Sequence, residues 1–396
     1  MALSALPLSY CANVHPGRTF AEVAEGLKRY TAPLRERLGT PIAVGMWMTR
    51  DALTEVATDP KLVDWLQGWL REHDLTCYTM NAFPFGNFHA ERVKENVYLP
   101  DWTDVRREEY TRDVADLLAR LLPEGVEGSL STSPCAFKAL HPQGADVDVY
   151  FPRLVSIARH LQDLRRRTGR TIRLAIEPEP GCLLETTDEA LGFFKDLRGW
   201  VKEAKDADAV REHLGLCYDI CHQAVEFEDV AESIDRLDAA EIRLVKVHVT
   251  CALELTDPRD EAAREHLARF VEPRYLHQTT ALTDDGRLLW STDLSREQTS
   301  APAEDWLGSR AWRIHFHVPV HEESLGPLGT TRHVLDRALR QVARLEQTPH
   351  LEVETYTWNV LPTEPQNGAS FDLVKGLSAE LQRTTSFLEQ VRAEQG

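Results

Sequence analysis

The sequence lacks any apolar run of about 20 residues, the length that a helix needs to cross a bilayer. Its first ten residues, Met1 to Tyr10, contain no basic residue and no extended apolar core, unlike an export signal. These absences argue against a membrane span and against export. We therefore expect a cytoplasmic protein.

Paired cysteines and an excess of positive charge are also missing. The seven cysteines form no C-x-x-C pair, and an odd number in a long chain indicates reduced, mostly buried thiols rather than a disulfide framework. The formal net charge of −18 repels polyanions. Nucleic acid is therefore not expected as a partner, whereas small uncharged or metal-chelating molecules are.

What the sequence does contain is a regular alternation of two patterns. Short apolar, β-branched runs alternate with amphipathic helical stretches along the whole chain, which indicates crossover connections and a parallel sheet. No repeat or low-complexity linker divides the 396 residues, and 42% of them are hydrophobic. We predict an α/β fold in one domain, residues 1–396, built as a closed (β/α)₈ TIM barrel. The eight predicted strands are Leu8–Val14, Ile42–Met48, Thr76–Phe83, Gly128–Thr132, Ile172–Glu177, Leu214–Asp219, Arg243–Val249 and Leu351–Thr355.

One long segment, approximately residues 251–312, does not fit the alternation, and we interpret it as an insertion between strands seven and eight. Two β-prone runs within it meet at Asp285-Gly286, a dipeptide favoured in tight turns, which predicts a β-hairpin. The insertion leaves the carboxyl end of strand seven, so it begins on the barrel face where ligands bind. We expect the hairpin to cover this face, packed on the barrel or on a second copy of the chain in a homodimer.

Residues suited to metal binding follow four consecutive predicted strands. Because a parallel barrel directs the carboxyl ends of all its strands to one face, side chains at these ends can meet. They are Glu177 and Glu179 after strand five, Asp219 and His222 after strand six, His248 on strand seven, and Glu354 on strand eight. Glu177 is preferred to Glu179 as a ligand because it continues the apolar strand, whereas Glu179 lies between two prolines and caps the loop or contacts substrate. The pattern predicts a divalent metal site at the mouth of the barrel.

A structural explanation exists for each of these residues alone. A glutamate after a strand is more often a helix cap, and a histidine on a strand is usually a hydrogen-bonded packing residue. Four consecutive strand ends are harder to explain in this way, because clustered carboxylates need a cation to neutralise them. Oxygen ligands with one or two imidazoles suit Mn²⁺, Mg²⁺, Co²⁺ or Zn²⁺, and additional histidines favour Zn²⁺.

The order of these ligands resembles that of the xylose-isomerase-like TIM-barrel superfamily, which includes sugar isomerases, ketose 3-epimerases and metal-dependent AP and UV-damage endonucleases. Three motifs are similar to those of a narrower group, the EboE group of bacterial proteins, described as metabolite-traffic proteins or sugar phosphate isomerases. The motifs are YCANVHPG at Tyr10–Gly17, NAFPFGNFH at Asn81–His89 and EPEPGC at Glu177–Cys182.

The resemblance to the epimerases implies the function: isomerisation or epimerisation of a sugar or cyclitol, or of its phosphate. It implies one divalent cation held by Glu177, Asp219, His248 and Glu354. It also implies that Glu177 and Glu354 exchange a substrate proton. His222 and Glu185 are the corresponding candidates for contact with substrate oxygens.

The endonuclease branch implies an alternative, a multinuclear zinc phosphoester hydrolase of the endonuclease IV type. Those enzymes bind up to three zinc ions and recruit further histidines, for which His15, His89 and the pair His315 and His317 are the counterparts here. Alternation along an extended segment would place both imidazoles of the pair on one side. The acidic charge disfavours a nucleic-acid substrate for such a hydrolase. A third alternative is a non-catalytic, metal-dependent metabolite-binding or traffic protein.

Overall fold

The computed structural model describes residues 5–141, 146–362 and 372–395. Its central feature is a barrel of eight parallel strands, which confirms the predicted fold class. Hydrogen bonds from the first strand both to the second, in register Ser9 with Ala43, and to the eighth, in register Ser9 with Glu352, close the sheet. The barrel strands are Ser9–Cys11, Ile42–Trp47, Leu75–Thr76 continued by Thr79–Asn81, Gly128–Thr132, Ile172–Ile176, Leu214–Asp219, Leu244–Val249 and His350–Val353.

Helices cover the outside of the barrel, as the apolar stripes of the sequence require. In Pro60–Glu72, for example, the Asp59 side chain caps the first turn and Leu66, Trp69 and Leu70 face the barrel wall. The other α-helices are Phe20–Gly26, Ala32–Leu38, Arg50–Thr58, Val105–Leu121, Phe151–Thr168, Thr187–Trp200, Ala204–His213, Ile220–Val225, Val230–Ala239, Glu261–Leu267, Arg296–Ser300, Glu304–Leu307, Arg332–Val342 and Leu373–Gln395. Among the described residues, no helix is long and apolar enough to cross a membrane.

A second, antiparallel sheet of six strands follows the seventh barrel strand. In spatial order its strands are Leu288–Ser291, Thr279–Leu282, Ala311–Val318, Cys251–Leu255, Leu328–Thr330 and Ser324–Leu325. The first two form a hairpin across Asp285-Gly286, in which Thr280 pairs with Trp290. The sheet extends past residue 312, the predicted end of the insertion, and therefore includes His315 and His317.

The barrel tolerates side chains poorly where neighbouring strands approach closely. A Cβ atom added at Gly215 on the sixth strand would lie 2.4 Å from the carbonyl oxygen of Arg243 on the seventh strand. We expect Gly215→Ala to lower the free energy of unfolding in urea by about 1–3 kcal/mol, because backbone atoms cannot move aside without strain.

Gly68→Ala is the matched control. Gly68 lies within the helix Pro60–Glu72, and nothing approaches within 4 Å of the added Cβ. We expect this substitution to raise the free energy of unfolding by about 0.5–1 kcal/mol, since alanine loses less backbone entropy than glycine in a helix. Equal effects of the two substitutions would contradict the close packing inferred at Gly215.

Candidate metal centre

Four side chains from successive strand ends meet at the mouth of the barrel. His248 Nδ1 lies 2.9 Å from Glu177 Oε1, 3.1 Å from Glu354 Oε2 and 3.4 Å from Asp219 Oδ2. The ligand atoms of these four residues all lie within 4.8 Å of one another, and no side chain of the set is more than 5% exposed. Three carboxylates and one imidazole, converging on one point, form a set that could hold a divalent cation.

The electrostatics of this cluster show what it requires. Burial lowers the pKa of a histidine, yet Cys217, Glu354 and Glu177 together hold the pKa of His248 well above its usual value. Burial likewise raises the pKa of Glu354 to about 7, with the neighbouring Glu177 and Asp219 adding to the increase against the opposing effect of His248. Glu177 Oε2 and Asp219 Oδ2 have no hydrogen-bond partner. The raised pKa of His248 shows that its surroundings favour positive charge, which a divalent cation could also supply.

Polar side chains that sequence reasoning missed hold two of the carboxylates in position. Asn13 Nδ2 donates a hydrogen bond of 2.7 Å to Glu354 Oε1, and Asn81 Nδ2 donates one of 3.3 Å to the same atom. Thr250 Oγ1 donates to Asp219 Oδ1 at 2.7 Å. Both asparagines lie at or just after the carboxyl ends of early barrel strands, in two of the motifs noted above. This position at the mouth is the sequence signal that could have identified them.

Three histidines form a second cluster beside the first. The Nε2 atoms of His222 and His315 are 3.1 Å apart, and those of His315 and His317 are 3.2 Å apart. The Nδ1 atom of each ring donates a hydrogen bond of 2.7–2.9 Å to an oxygen. The acceptors are the Pro178 carbonyl for His222, the Gln278 side-chain oxygen for His315 and the Glu354 carbonyl for His317. These bonds fix the tautomers and leave the three Nε2 atoms facing one another.

Two of the three Nε2 separations in this tri-histidine cluster match those between metal ligands, and His222 belongs to two potential ligand groups, one with Glu179 and His315 and one with Asp219 and His317. Tetrahedral zinc with Zn–N bonds of 2.0–2.1 Å separates its nitrogen ligands by about 3.3 Å. Burial and the other two imidazoles lower the pKa of His315 well below its usual value, and burial lowers that of His317 to about 4. Both rings therefore present lone pairs to each other. Asp219 Oδ2 lies 3.9 Å from the Nε2 atoms of both His222 and His317, so it is placed between the two clusters.

Glu179 lies at the edge of the tri-histidine cluster and does not join the four-residue set. Its Oε1 accepts a 2.7 Å hydrogen bond from Tyr98, whose hydroxyl also accepts one from Gln278. Burial raises the pKa of Glu179 to about 7, and its Oε2 has no partner. Together with His222 and His315 it makes a further group that could bind a cation.

A small cavity lies over both clusters. Glu177 and Glu354 reach its surface, whereas Asp219 and His248 do not line it. Its walls and roof are mainly apolar and aromatic, formed by Phe83, Pro84, Phe88, Val93, Val97, Tyr98, Tyr275, Leu276 and Tyr356. The cavity volume is about 50 Å³, below the ~300 Å³ of typical ligand pockets, so a sugar-sized ligand would require some of the lining residues to move.

Two segments make up the roof, and a buried lysine joins them. Lys94 Nζ donates to the carbonyl oxygens of Glu272 and Tyr275 and pairs with Asp293 at 2.7 Å. We refer to these two cavity-lining segments, residues 93–98 and residues 275–276 just before the hairpin, as the roof. The hairpin strands themselves do not line the cavity, and the side chains of Leu288 and Trp290 are nearly half exposed.

Three of the predicted candidates lie outside both clusters. His15 is a buried packing histidine: its Nε2 forms a hydrogen bond with the Tyr10 hydroxyl, and its ring stacks on Tyr30. His89 Nε2 donates to the carbonyl oxygen of Asn13. Glu185 pairs with Lys138 and accepts from the Gly181 amide near the surface. None of the three lines the cavity or belongs to a group of potential ligands among the described residues.

The sequence matches no protein-family profile and no curated protein. Solved structures nevertheless share its fold over nearly the whole chain. An L-ribulose 3-epimerase is 12% identical, with 98% of this chain and 96% of that chain covered and a TM-score of 0.51. A D-tagatose 3-epimerase-like protein is 13% identical, with 99% and 100% covered and a TM-score of 0.50. A xylose isomerase-like TIM barrel protein from Mycobacterium smegmatis, in complex with magnesium, is 15% identical, with 98% and 99% covered and a TM-score of 0.51. At these identities the similarity shows the fold alone, which is that of the xylose-isomerase-like barrels.

Proposed function

We propose that this protein is a divalent-metal-dependent isomerase or epimerase of sugars or cyclitols. Glu177, Asp219, His248 and Glu354 hold the catalytic cation. The fit of these residues to a cation is supported by their unpartnered carboxylate oxygens and by the convergence of their four ligand atoms within 4.8 Å of one another. Barrels of the same fold include an L-ribulose 3-epimerase and a magnesium complex, which agrees with this chemistry.

The observation that carries the proposal is the placement of the two glutamates. Glu177 and Glu354 reach the cavity from the fifth and eighth strands, whereas Asp219 and His248 lie beneath them. When bound, a divalent cation polarises the carbonyl and hydroxyl of a hydroxy-ketone and acidifies the adjacent C–H bond. One glutamate then removes this proton. Return of a proton by the other glutamate to the opposite face gives epimerisation, whereas a shuttle through one of them gives isomerisation.

The surroundings of Glu354 suit it to this role. Its Oε1 is held by the Asn13 and Asn81 amides, so the carboxylate is fixed in one orientation. A carboxylate held in this way at the surface of the cavity can accept a proton from the substrate and return it.

The charge of the cavity favours a neutral substrate over a phosphorylated one. Apart from histidines, Lys94 is the one basic residue lining the cavity in the described part of the chain, and its ammonium group already binds Asp293 and two carbonyl oxygens. The segments outside the described residues contain no lysine or arginine. A phosphate in this cavity would therefore lack the cationic side chains that usually bind it.

The tri-histidine cluster supports a second cation, held by His222, His315 and His317 with Asp219 shared between the two sites. The fixed tautomers and the 3.1–3.2 Å spacing of the Nε2 atoms are the observations that favour it. Two neighbouring cations also favour a second candidate function, hydrolysis of a small phosphoester. Zinc suits this nitrogen-rich site, whereas Mn²⁺, Mg²⁺ or Co²⁺ also suits the carboxylate-rich one.

Two further roles remain proposals. The resemblance to the EboE group supports a metabolite-binding or traffic function, in which the same centre binds its ligand without converting it.

The exposed Leu288 and Trp290 on the edge strand of the second sheet would suit the contact of a homodimer.

Removal of His248 tests the first metal site. We expect the purified protein to contain at least one divalent ion per chain. His248→Ala should weaken binding at this site by more than the ~10–100-fold typical for loss of a residue that only supports a ligand. Metal content after dialysis is measured by elemental analysis. Glu185→Ala, a carboxylate near the mouth but outside both clusters, is the control and should retain the metal. Unchanged metal content in His248→Ala would refute the site.

The paired substitution His315→Ala with His317→Ala tests the second site separately. Because these rings belong only to the tri-histidine cluster, their loss should remove one equivalent of zinc and leave the first cation bound. Titration calorimetry of the metal-free protein measures both equivalents. A wild-type stoichiometry of one, unchanged in the double variant, would contradict a second cation.

Solvent exchange tests the reaction. In D₂O the metal-loaded protein should incorporate deuterium at the carbon beside the carbonyl of a neutral ketose or inosose, and less readily in the phosphorylated forms. Glu177→Gln and Glu354→Gln should slow this by at least ~100-fold, since each removes a proton carrier, whereas Glu185→Gln should not. NMR measures the incorporation. Metal-dependent phosphate release without exchange would favour the hydrolase, and bound metal with neither reaction would favour the binding protein.

A further inference from the structure

A fully buried ion pair lies directly beneath the proposed metal ligands. Lys246 Nζ is 2.7 Å from Glu352 Oε1, and neither side chain is accessible to solvent. Alternation along the strands explains the position, because Lys246 is two residues before His248 and Glu352 is two residues before Glu354. The pair therefore occupies the next layer down inside the barrel and does not line the cavity.

Surrounding groups hold this pair in one geometry. Lys246 Nζ also donates to Ser131 Oγ at 3.2 Å, and Glu352 Oε2 accepts from Ser9 Oγ at 2.9 Å. The carboxylate occupies space that a side chain on the second strand would otherwise fill, since a Cβ atom on Gly45 would lie 1.5 Å from Glu352 Oε2. Glycine at this position is thus a requirement of the buried glutamate.

The position of Glu352 relative to His248 suggests why the pair is there. The two residues are paired across the seventh and eighth strands, and His248 Nε2, a buried nitrogen that forms no hydrogen bond in this structure, lies 3.5 Å from Glu352 Oε1. Glu352 is the carboxylate that Nε2 faces, whereas Nδ1 points to the upper three carboxylates, the nearest of which is Glu177 at 2.9 Å. Metal-binding histidines commonly donate their second N–H to a carboxylate, which fixes both the tautomer and the ring orientation.

Stability alone does not account for such a pair. Desolvating two charges costs about as much as their attraction returns, so replacing a buried ion pair with apolar residues is often neutral or stabilising. We propose that Glu352, held by Lys246, is a positioning residue: it accepts the Nε2–H of His248 and so presents the Nδ1 lone pair to the cation. This inference rests on the proposed function, because it assumes a cation at His248.

Two double variants isolate the hydrogen-bond acceptor. Both variants carry Lys246→Met. The Gln variant adds Glu352→Gln and the Leu variant adds Glu352→Leu, so both remove the same two charges, but only the Gln variant keeps a carbonyl oxygen at position 352. We expect the Gln variant to bind Co²⁺ or Zn²⁺ with an affinity close to that of the wild type. The Leu variant should bind about 10–100-fold more weakly and show an altered Co²⁺ absorption spectrum. The urea midpoint of the metal-free protein should fall in neither variant.

The outcomes separate this inference from the proposed function. Wild-type protein that binds no metal would overturn both. Equal metal affinity and equal Co²⁺ spectra in wild type and the Leu variant would overturn the positioning role alone. If the variants fail to fold, ¹⁵N-histidine NMR of the zinc-loaded wild type tests the same role. We expect His248 to carry its proton on Nε2. A protonated Nδ1 with the metal on Nε2 would refute the positioning role.

Discussion

The burial of carboxylates at the mouth of the barrel is the constraint on which the rest of the site depends. Glu177, Asp219 and Glu354 lose nearly all contact with water, and a buried charge without compensation is one of the most costly features a protein can contain. Positive charge must therefore reach the same volume. The neighbouring Cys217, Glu354 and Glu177 favour the charged form of the His248 imidazole and hold its pKa well above the usual value.

Charge compensation is arranged in layers along the barrel axis. The deepest layer is neutral overall, because Lys246 balances Glu352. The next layer contains the three carboxylates around His248, where a divalent cation would neutralise the cluster more completely than one proton does. To one side, the tri-histidine cluster adds nitrogens without adding negative charge, and Asp219 is shared between the two clusters.

The periodic parts of the fold and the strand-end residues could be predicted from sequence. Alternating strands and helices define a barrel, and a barrel brings its strand ends together, so the positions of Asp219 and His248 follow from topology alone. The roof could not be predicted, because residues 93–98, which include the 3₁₀ helix Lys94–Tyr98, and residues 275–276 lie in connections whose contacts, such as those of Lys94, depend on the folded chain. His15 and His89 resemble ligands in sequence, yet nearby hydrogen-bond partners occupy them. The ion pair between Lys246 and Glu352 could not be predicted, because alternation and topology place both residues on neighbouring strands but do not show that their charged groups meet.

The second sheet contributes to the centre itself. Its strand Ala311–Val318 pairs with Cys251–Leu255, but the register shifts between Ile314 and Val318, and His315 and His317 lie within this irregular stretch. Such an irregularity redirects side chains from the regular face of a sheet, and here both rings reach His222, which the barrel supplies. The barrel alone provides every residue of the four-residue set, whereas two of the three imidazoles come from the second sheet. A chain with the same barrel but without this sheet would keep the four-residue set and lose two of the three clustered imidazoles, so the histidine-rich part of the centre depends on residues outside the barrel.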